Sequence, residues 1–246
     1  MTAELMSVSD ALASELVPMP ADASDVCPMC RSGRKPSSEL CYSCTRTSNQ
    51  VAYPCSMVIP ISFYKKPSLL RELMHNFKEH PDPAVRFDGR KAVAAIVARY
   101  FLENGSALAK RYGTWDATVA VPSTHHDRDP ALQAAIHENF PDVLAPFERP
   151  LGRGTGDMGF NKASETGFVL KSEVKDKSLL LLDDTFTTGA RLQSAHHALV
   201  AAGATVPIAV IVTRKINPSK TYGNLEMWAR QSSLQFDFES PPWWRD

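Results

Sequence analysis

The chain has no excess of charge of either sign and no long apolar run. Lys plus Arg and Asp plus Glu each number 27, so the formal net charge is zero and no global field draws the protein to nucleic acid or an acidic membrane. No stretch approaches the roughly 18 to 20 apolar residues that cross a bilayer. Residues 1–25 lack the basic start and apolar stretch of a secretory signal. These absences predict a cytoplasmic protein without a membrane span.

The length and composition suit one ordinary α/β domain with a small appendage, or two small domains. Of the 246 residues, 43% are apolar, which is enough for a real core. We predict a flexible N-terminal tail over residues 1–25, with at most a short helix near 11–16, and a cysteine-rich segment over 26–48. The main domain is predicted over 55–216, followed by a C-terminal extension over 217–246.

Cysteine is scarce, and four of the five cysteines form two Cys-x-x-Cys pairs. Cys27 and Cys30 make the first pair, and Cys41 and Cys44 follow after ten residues. Four thiolates close a tetrahedral structural Zn²⁺ site, which would hold together a segment too polar to form a core. A disulfide is disfavoured in the cytoplasm, and a redox pair usually lies on a thioredoxin-like helix, so zinc is the favoured interpretation. Cys55 stands apart.

Apolar spacing predicts alternating helices and strands. The expected strands are 57–63 (an edge strand interrupted by Pro60), 117–121, 178–182 and 206–212, and the expected helices are 69–78, 90–102, 130–139 and 189–202. The strand–helix–strand unit over 178–212 implies a parallel sheet with a right-handed crossover. The predicted fold class is therefore α/β, a parallel sheet flanked by helices.

Residues 179–191, Leu-Leu-Leu-Leu-Asp-Asp-Thr-Phe-Thr-Thr-Gly-Ala-Arg, predict a phosphate site. Asp183 and Asp184 follow a buried strand at its carboxyl end, where open α/β sheets bind ligands. A helix starts at Gly189, and its free N–H groups and positive dipole end suit an anion. The predicted phosphate-binding residues are Thr185, Phe186, Thr187, Thr188 and Gly189. The alternative is an ordinary strand, turn and capped helix.

The two acids need a partner other than the phosphate, because like charges repel. Adjacent carboxylates can accept hydrogen bonds from the two hydroxyls of a ribose, and they favour a nearby Mg²⁺. The predicted ligand therefore has a phosphate at one end and a diol one sugar away.

This run resembles the signature of type I phosphoribosyltransferases: four apolar residues, two acids, two variable residues, then Thr-Thr-Gly. The resemblance implies a type I phosphoribosyltransferase-like sheet. It implies that Asp183 and Asp184 contact the ribose of phosphoribosyl pyrophosphate and that the following loop binds its 5-phosphate. It also implies transfer of ribose 5-phosphate to a nitrogen acceptor with Mg²⁺.

Two further segments are candidates for the rest of the site. Ser123, Thr124 and Arg128 follow the strand at 117–121 and could bind pyrophosphate; the alternative is an ordinary polar loop. The glycine-rich segment 151–167 could be a lid that excludes water, with Arg153 and Lys162 as its anion contacts; the alternative is a flexible surface loop. Lys78 is a weaker candidate, since a lysine at a helix end is usually just solvated.

A four-cysteine segment ahead of such a domain resembles the ComF family of bacterial competence-associated proteins. The likeness runs from about residue 27 to 214 and includes Tyr64 and the segment 70–78. The family's Arg-Gly-Phe-Asn-Gln stretch is missing from 127–135, while a Gly-Phe-Asn-Lys stands at 159–162. The resemblance implies a role linked to DNA uptake without fixing a reaction.

Three functions therefore stay open at this point. The first is a Mg²⁺-dependent phosphoribosyltransferase, and the second is a non-catalytic regulator that binds a nucleotide or phosphoribosyl pyrophosphate. The third is an accessory of the DNA-uptake machinery, with basic residues of the cysteine segment on DNA phosphates. Those residues are Arg31, Arg34, Lys35 and Arg46. The sequence does not decide between a monomer and an oligomer.

Overall fold

The computed structural model describes residues 2–123 and 130–240. Of the predicted site residues, Thr124 and Arg128 lie outside the described residues, as does the end of the predicted extension at 241–246. The described helices are α1 (Thr2–Leu12), α2 (Tyr42–Ser48), α3 (Leu69–Glu79), α4 (Pro83–Tyr112), α5 (Ala131–Asn139), α6 (Ala190–Ala201) and α7 (Leu225–Gln231). The described strands are β1 (Val58–Tyr64), β2 (Ala117–Ala120), β3 (Phe147–Glu148), β4 (Leu151–Arg153), β5 (Phe168–Leu170), β6 (Leu179–Phe186) and β7 (Ala209–Lys215).

The central sheet has five parallel strands in the order β1-β7-β6-β2-β3. The predicted parallel sheet flanked by helices is confirmed. Strand β1 lies at an edge, which explains why Pro60 is tolerated there, because an edge strand leaves one row of its N–H positions outside the ladder. Strands β4 and β5 form a separate antiparallel pair, so the segment predicted as an irregular loop begins within a hairpin.

The four leucines of β6 are buried on both faces of the sheet. Leu180 and Leu182 belong to the core that includes α3, α4 and α5. Leu179 and Leu181 belong to the opposite core, which contains α6 and the cysteines. Since side chains alternate along a strand, a continuous apolar run is what a central strand of a parallel sheet requires.

The strand order fixes where the sheet opens. Strands β2 and β6 are neighbours, but the chain leaves β2 towards β3 and leaves β6 towards β7. The two connections diverge, which makes a crevice at the carboxyl ends of β2 and β6, and ligands of open α/β sheets bind in such a crevice. Both Ser123 and the run that begins at Asp183 lie at this edge.

The N-terminal region differs from the predicted flexible tail. Helix α1 packs on α4, and Leu5 and Leu16 are buried. The N–H of Phe63 donates to the carbonyl of Val17 at 2.8 Å, so the segment also lines the β1 edge. Leu5, Leu16 and Met19 join the main core, so widely spaced apolar residues fix this segment to the rest of the domain. None of the helices in the described ranges is both long enough and apolar enough to cross a membrane.

Candidate functional site

The segment between β6 and α6 is a tight turn whose shape depends on glycine. Gly189 has φ of 85° and caps α6. A Cβ at this position would lie 2.3 Å from Cζ of Phe186. Both the left-handed backbone and the close contact therefore exclude other residues. We call residues 185–189 the phosphate loop; its location ahead of a helix of twelve residues agrees with the sequence prediction.

Asp183 and Asp184 lie near the carboxyl end of β6, and both are buried. Nη2 of Arg191 lies 3.0 Å from Oδ1 of Asp183 and 3.6 Å from Oδ1 of Asp184. The ammonium group of Lys78, at the end of α3, forms an ion pair with Asp184. Two buried carboxylates are thus balanced by two cations from different helices.

The two carboxyl groups have different proton affinities. Burial raises the pKa of Asp183 from 3.8 to about 6, against the opposing charge of Arg191. Burial also disfavours ionisation of Asp184, but Lys78 and Arg191 outweigh it and hold the pKa of Asp184 below its ordinary value. At neutral pH both acids are ionised, and ionisation of the buried Asp183 lowers the stability of the folded state.

One carboxylate oxygen of this pair is left for a ligand. Oδ1 of Asp184 is buried and has no hydrogen-bond partner within the described part of the chain. A buried acceptor without a donor is costly, whereas a ribose hydroxyl or a bound cation would satisfy it. This oxygen is therefore the best candidate for a ligand contact among the described residues of the crevice.

The pyrophosphate-side residues are described only in part. Val121 extends β2 by donating its N–H to the carbonyl of Leu182 at 2.8 Å. Ser123 follows two residues later, past the carboxyl end of β2. The roles proposed for Ser123, Thr124 and Arg128 stay predictions.

The glycine-rich segment is fastened to its neighbours along one side. Ser164 N–H donates to Oγ of Ser194 at 2.9 Å, and Gln50 exchanges hydrogen bonds with Asn161 and Ala163. The N–H of Asn161 also donates to Oγ1 of Thr188, so the segment touches the phosphate loop directly. The described contacts hold this side against α6, while Phe160 at the tip is 78% exposed.

Arg153 and Lys162 have partners within this segment. Nη1 of Arg153 lies 3.4 Å from the carbonyl of Gly167, and Nζ of Lys162 lies 2.6 Å from a carboxylate oxygen of Asp157. Their predicted contact with an anionic ligand would require Lys162 to leave Asp157, and it stays a prediction.

The four predicted cysteines converge on one point. The Sγ atoms of Cys27, Cys30, Cys41 and Cys44 all lie within 4.8 Å of one another, and all four residues are buried. The Sγ atoms of Cys30 and Cys41 are 3.7 Å apart. Tetrahedral Zn–S bonds of about 2.3 Å require sulfur atoms about 3.8 Å apart, so the donor set fits a Zn²⁺ ion. We call this cluster the cysteine site.

Electrostatics at the cysteine site favour a thiolate at Cys30 and Cys41, whereas hydrogen bonds with the other thiols hold the pKa of Cys27 and of Cys44 above its ordinary value. Burial opposes ionisation of Cys30, but hydrogen bonds with the other three thiols and the charge of Arg214 outweigh it, so the pKa of Cys30 lies below its ordinary value. A thiolate is the form that binds a metal. Cys55 is also buried, but burial raises the pKa of its thiol to about 12, and it lies outside the cluster.

Sequence reasoning missed three cations that complete these sites. Arg191 belongs to the conspicuous run but received no role, and Lys78 was judged a weak candidate. Arg214, at the end of β7, was not singled out, although a charged residue inside an apolar strand is a usable signal. Nothing in the sequence indicated that Lys78 would reach a carboxylate more than 100 positions away.

Comparison with known proteins gives distant structural neighbours only. No family model matches the chain, and no curated protein matches it. A hypoxanthine phosphoribosyltransferase from Staphylococcus aureus is 17% identical with a TM-score of 0.32, over 49% of this chain and 72% of that one. Adenine phosphoribosyltransferase from Leishmania tarentolae is 13% identical with a TM-score of 0.33, over 62% and 90%. Phosphoribosylpyrophosphate synthetase from Mycobacterium smegmatis is 13% identical with a TM-score of 0.35, over 71% and 70%. All three TM-scores are below 0.5, so the chemistry of this chain is inferred from its own residues.

Proposed function

We propose that the protein binds phosphoribosyl pyrophosphate with Mg²⁺ and transfers its ribose 5-phosphate to a nitrogen acceptor. One observation carries the proposal: a buried acid pair is followed directly by a glycine-dependent loop that opens a helix at the crevice of a parallel sheet. A phosphate at the loop and a diol at the acids would satisfy both groups at once.

In the proposed reaction the chain's residues bind and orient the donor. The phosphate loop would hold the 5-phosphate, and Oδ1 of Asp184 would accept a hydrogen bond from a ribose hydroxyl. A bond would form between the acceptor nitrogen and C1 of the ribose, while the bond from C1 to pyrophosphate breaks and pyrophosphate leaves with the electron pair. The acceptor nitrogen would lose its proton to solvent. Positioning of this kind can supply much of a rate enhancement.

Two metals are implied, with different roles. The buried thiols of the cysteine site suit Zn²⁺, which would stabilise the segment around it. Mg²⁺, bound with the donor, would offset the negative charge of the pyrophosphate. Carboxylate oxygens are the ligands that Mg²⁺ prefers, and Oδ1 of Asp184, which accepts no hydrogen bond within the described part of the chain, is a suitable ligand atom for it.

Calorimetric titration of phosphoribosyl pyrophosphate, with and without Mg²⁺, tests the proposal. We expect Mg²⁺-dependent binding that is lost when Asp183→Asn and Asp184→Asn are combined. Asp142→Asn, a change of the same type at an exposed position, is the matched control. Equal binding by the double variant and the wild type would show that the acids do not hold the ribose.

Turnover separates the enzyme from a regulator with the same binding site. We expect exchange of labelled pyrophosphate into the donor, or release of pyrophosphate with a panel of bases and amines. Donor binding with no turnover against the whole panel would favour a sensor of phosphoribosyl pyrophosphate or a nucleotide.

A second candidate function is supported by a separate cavity. A cavity of about 780 Å³ lies between the cysteine segment, the phosphate loop and the end of β7. Lys35, Arg46 and Lys215 line it together with the rings of Tyr42 and Tyr222, and no acidic residue of the described ranges does. Burial and the charges of Lys66 and Arg214 hold the pKa of Lys215 below its ordinary value. Cations beside exposed rings suit a nucleotide, free or in a single strand.

Of the four basic residues predicted to contact DNA, two have other partners. Arg31 is buried and paired with Asp22, and Arg34 donates to the carbonyl of Val26. A role in DNA uptake, as the ComF resemblance implies, would therefore depend on Lys35 and Arg46. Binding of a fluorescent single-stranded oligonucleotide that weakens with added salt would support it; no binding at low salt would exclude it.

A further inference from the structure

Arg214 connects the two sites of this protein. Its side chain is buried at the end of β7, and the residue is 5% exposed. Nη1 donates to the carbonyl of Phe186 at 3.1 Å and to that of Thr187 at 2.6 Å, both in the phosphate loop. It also lies 2.7 Å from the carbonyl of Lys215. One guanidinium nitrogen thus ties two successive loop carbonyls to the sheet.

The same guanidinium supports the loop through an aromatic ring. Cζ of Arg214 lies 4.7 Å from the centroid of the Phe186 ring, a distance typical of a cation–π contact. This ring is also the one on which Gly189 packs so closely that a Cβ would not fit. Phe186 therefore contacts both Arg214 and Gly189, the residue that caps α6.

The cysteine site acts on Arg214 from the other direction. Arg214 and Cys41 line the same cavity. Cys30 lies within hydrogen-bond reach of the Arg214 side chain, and Cys41 and Cys44 lie close enough to act on its charge. Four thiolates around one Zn²⁺ leave a net negative charge, which a buried cation compensates. Arg214 is thus placed as an outer partner of the cysteine site.

A second contact joins the two sites independently of Arg214. Helix α2 carries Cys44 and Thr47. Oγ1 of Thr47 lies 3.3 Å from the carbonyl of Thr188. The helix that supplies a ligand of the cysteine site therefore also touches the phosphate loop.

We propose that the cysteine site sets the conformation of the phosphate loop, with Arg214 as the positioning residue between them. The inference rests on the proposed function, because it takes the loop at 185–189 to be the one that binds phosphate. It adds that the affinity for the phosphate depends on whether the cysteine site is intact. Loss of the metal would then weaken donor binding at a site that contains no cysteine.

Substitution of Arg214 tests the connection. In Arg214→Met we expect the affinity for phosphoribosyl pyrophosphate to fall about tenfold, within the range of ordinary coupling between sites. Arg214→Lys keeps the charge but loses the planar fork, and we expect an intermediate loss. Arg34→Met is the matched control: Arg34 lies in the cysteine segment and donates to carbonyls of that segment, not to the loop. We expect its affinity to equal that of the wild type.

The rate of hydrogen exchange at residues 185–190 measures how well the loop is protected when no ligand is bound. We expect faster exchange there in Arg214→Met and in wild-type protein from which a chelator has removed the metal, while residues 179–184 of β6 stay protected. Metal content measured in each sample shows whether the cysteine site is loaded. Wild-type protein with metal restored should return to slow exchange, which separates loop opening from irreversible unfolding.

The outcomes distinguish this inference from the proposed function. If wild-type protein fails to bind phosphoribosyl pyrophosphate, the proposed function is wrong, and loop exchange alone decides the connection. If it binds, but Arg214→Met and metal-free protein bind equally well and exchange no faster, the connection is wrong while the function stands. Should Arg214→Met not fold, the comparison of metal-loaded with metal-free wild type gives the same decision.

Discussion

The cysteine site and the acid pair ahead of the phosphate loop both concentrate buried negative charge, but they balance it differently. The cysteines lie within one segment, 27–44, and a Zn²⁺ ion that they enclose would neutralise half of the charge of four thiolates. The acids at 183 and 184 depend on Lys78 and Arg191, which lie on two other elements. The first site is closed around its counter-ion. The second is balanced by side chains of two other elements, and one of its oxygens, Oδ1 of Asp184, accepts no hydrogen bond within the described part of the chain.

The largest effect is expected from a substitution that removes one of the four thiols of the cysteine site. Cys30→Ser should abolish stoichiometric zinc and lower the free energy of unfolding by at least about 3 kcal/mol, because metal-binding energy is folding energy here. Metal analysis and urea unfolding measure both. Cys55→Ser removes a buried thiol outside the cluster and should keep its zinc. A zinc content unchanged in Cys30→Ser would show that the four thiols do not form the site.

Gly189→Ala tests whether the loop's shape depends on glycine. The left-handed backbone and the contact with Phe186 should together cost about 3 kcal/mol of stability and weaken donor binding. Gly113→Ala is a fitting control, because Gly113 has φ of 102° but a Cβ there would meet nothing within 4 Å. It would carry the backbone strain without the clash. If both variants lose the same free energy of unfolding, the contact with Phe186 does not contribute to the effect.

Asp183→Asn should separate stability from function. Because the pKa of Asp183 is raised to about 6 in the folded protein, the folded state binds more protons than the unfolded state between pH 4 and 6. This group's contribution to stability therefore falls as pH rises through that window. The variant lacks this loss and should be more stable at pH 7 by about 1 to 3 kcal/mol.

Urea unfolding of wild type and Asp183→Asn from pH 4 to 7 measures this difference. The advantage of the variant should grow as pH rises to 6 and then level off, while its donor binding is lost. A stability difference that does not change over this range would contradict the raised pKa of Asp183.

The smallest effect is expected at the exposed ion pair of the glycine-rich segment. Lys162→Met should change stability by less than about 0.5 kcal/mol, because its pair with Asp157 is exposed to solvent. If Lys162 contacts the donor as predicted, its affinity for phosphoribosyl pyrophosphate should fall nonetheless. Unchanged affinity would show that Lys162 does not contact the donor. Lys175→Met, at another exposed position, is the control.

Local sequence patterns predicted the elements that depend on local physics. The leucine run of β6, the glycine that begins α6 and the four cysteines were all placed correctly. The N-terminal helix was missed, because the apolar residues that it buries stabilise it only once α4 lies beside them. The hairpin from 151 to 170 was missed for a related reason: β4 and β5 are three residues each and pair across a long turn, so neither shows a strand period of its own.

By itself, the sequence determined the glycine-dependent turn after β6, the acid pair and the cysteine set, because each lies within a short stretch of chain whose chemistry needs little from elsewhere. Only the tertiary structure decided which cations balance them. Lys78 approaches Asp184 because α3 ends beside β6, and Arg214 approaches both the cysteine site and the loop because β7 pairs with β6. Charges compensate one another through space, and the strand order that brings these residues together cannot be inferred from the local sequence around them.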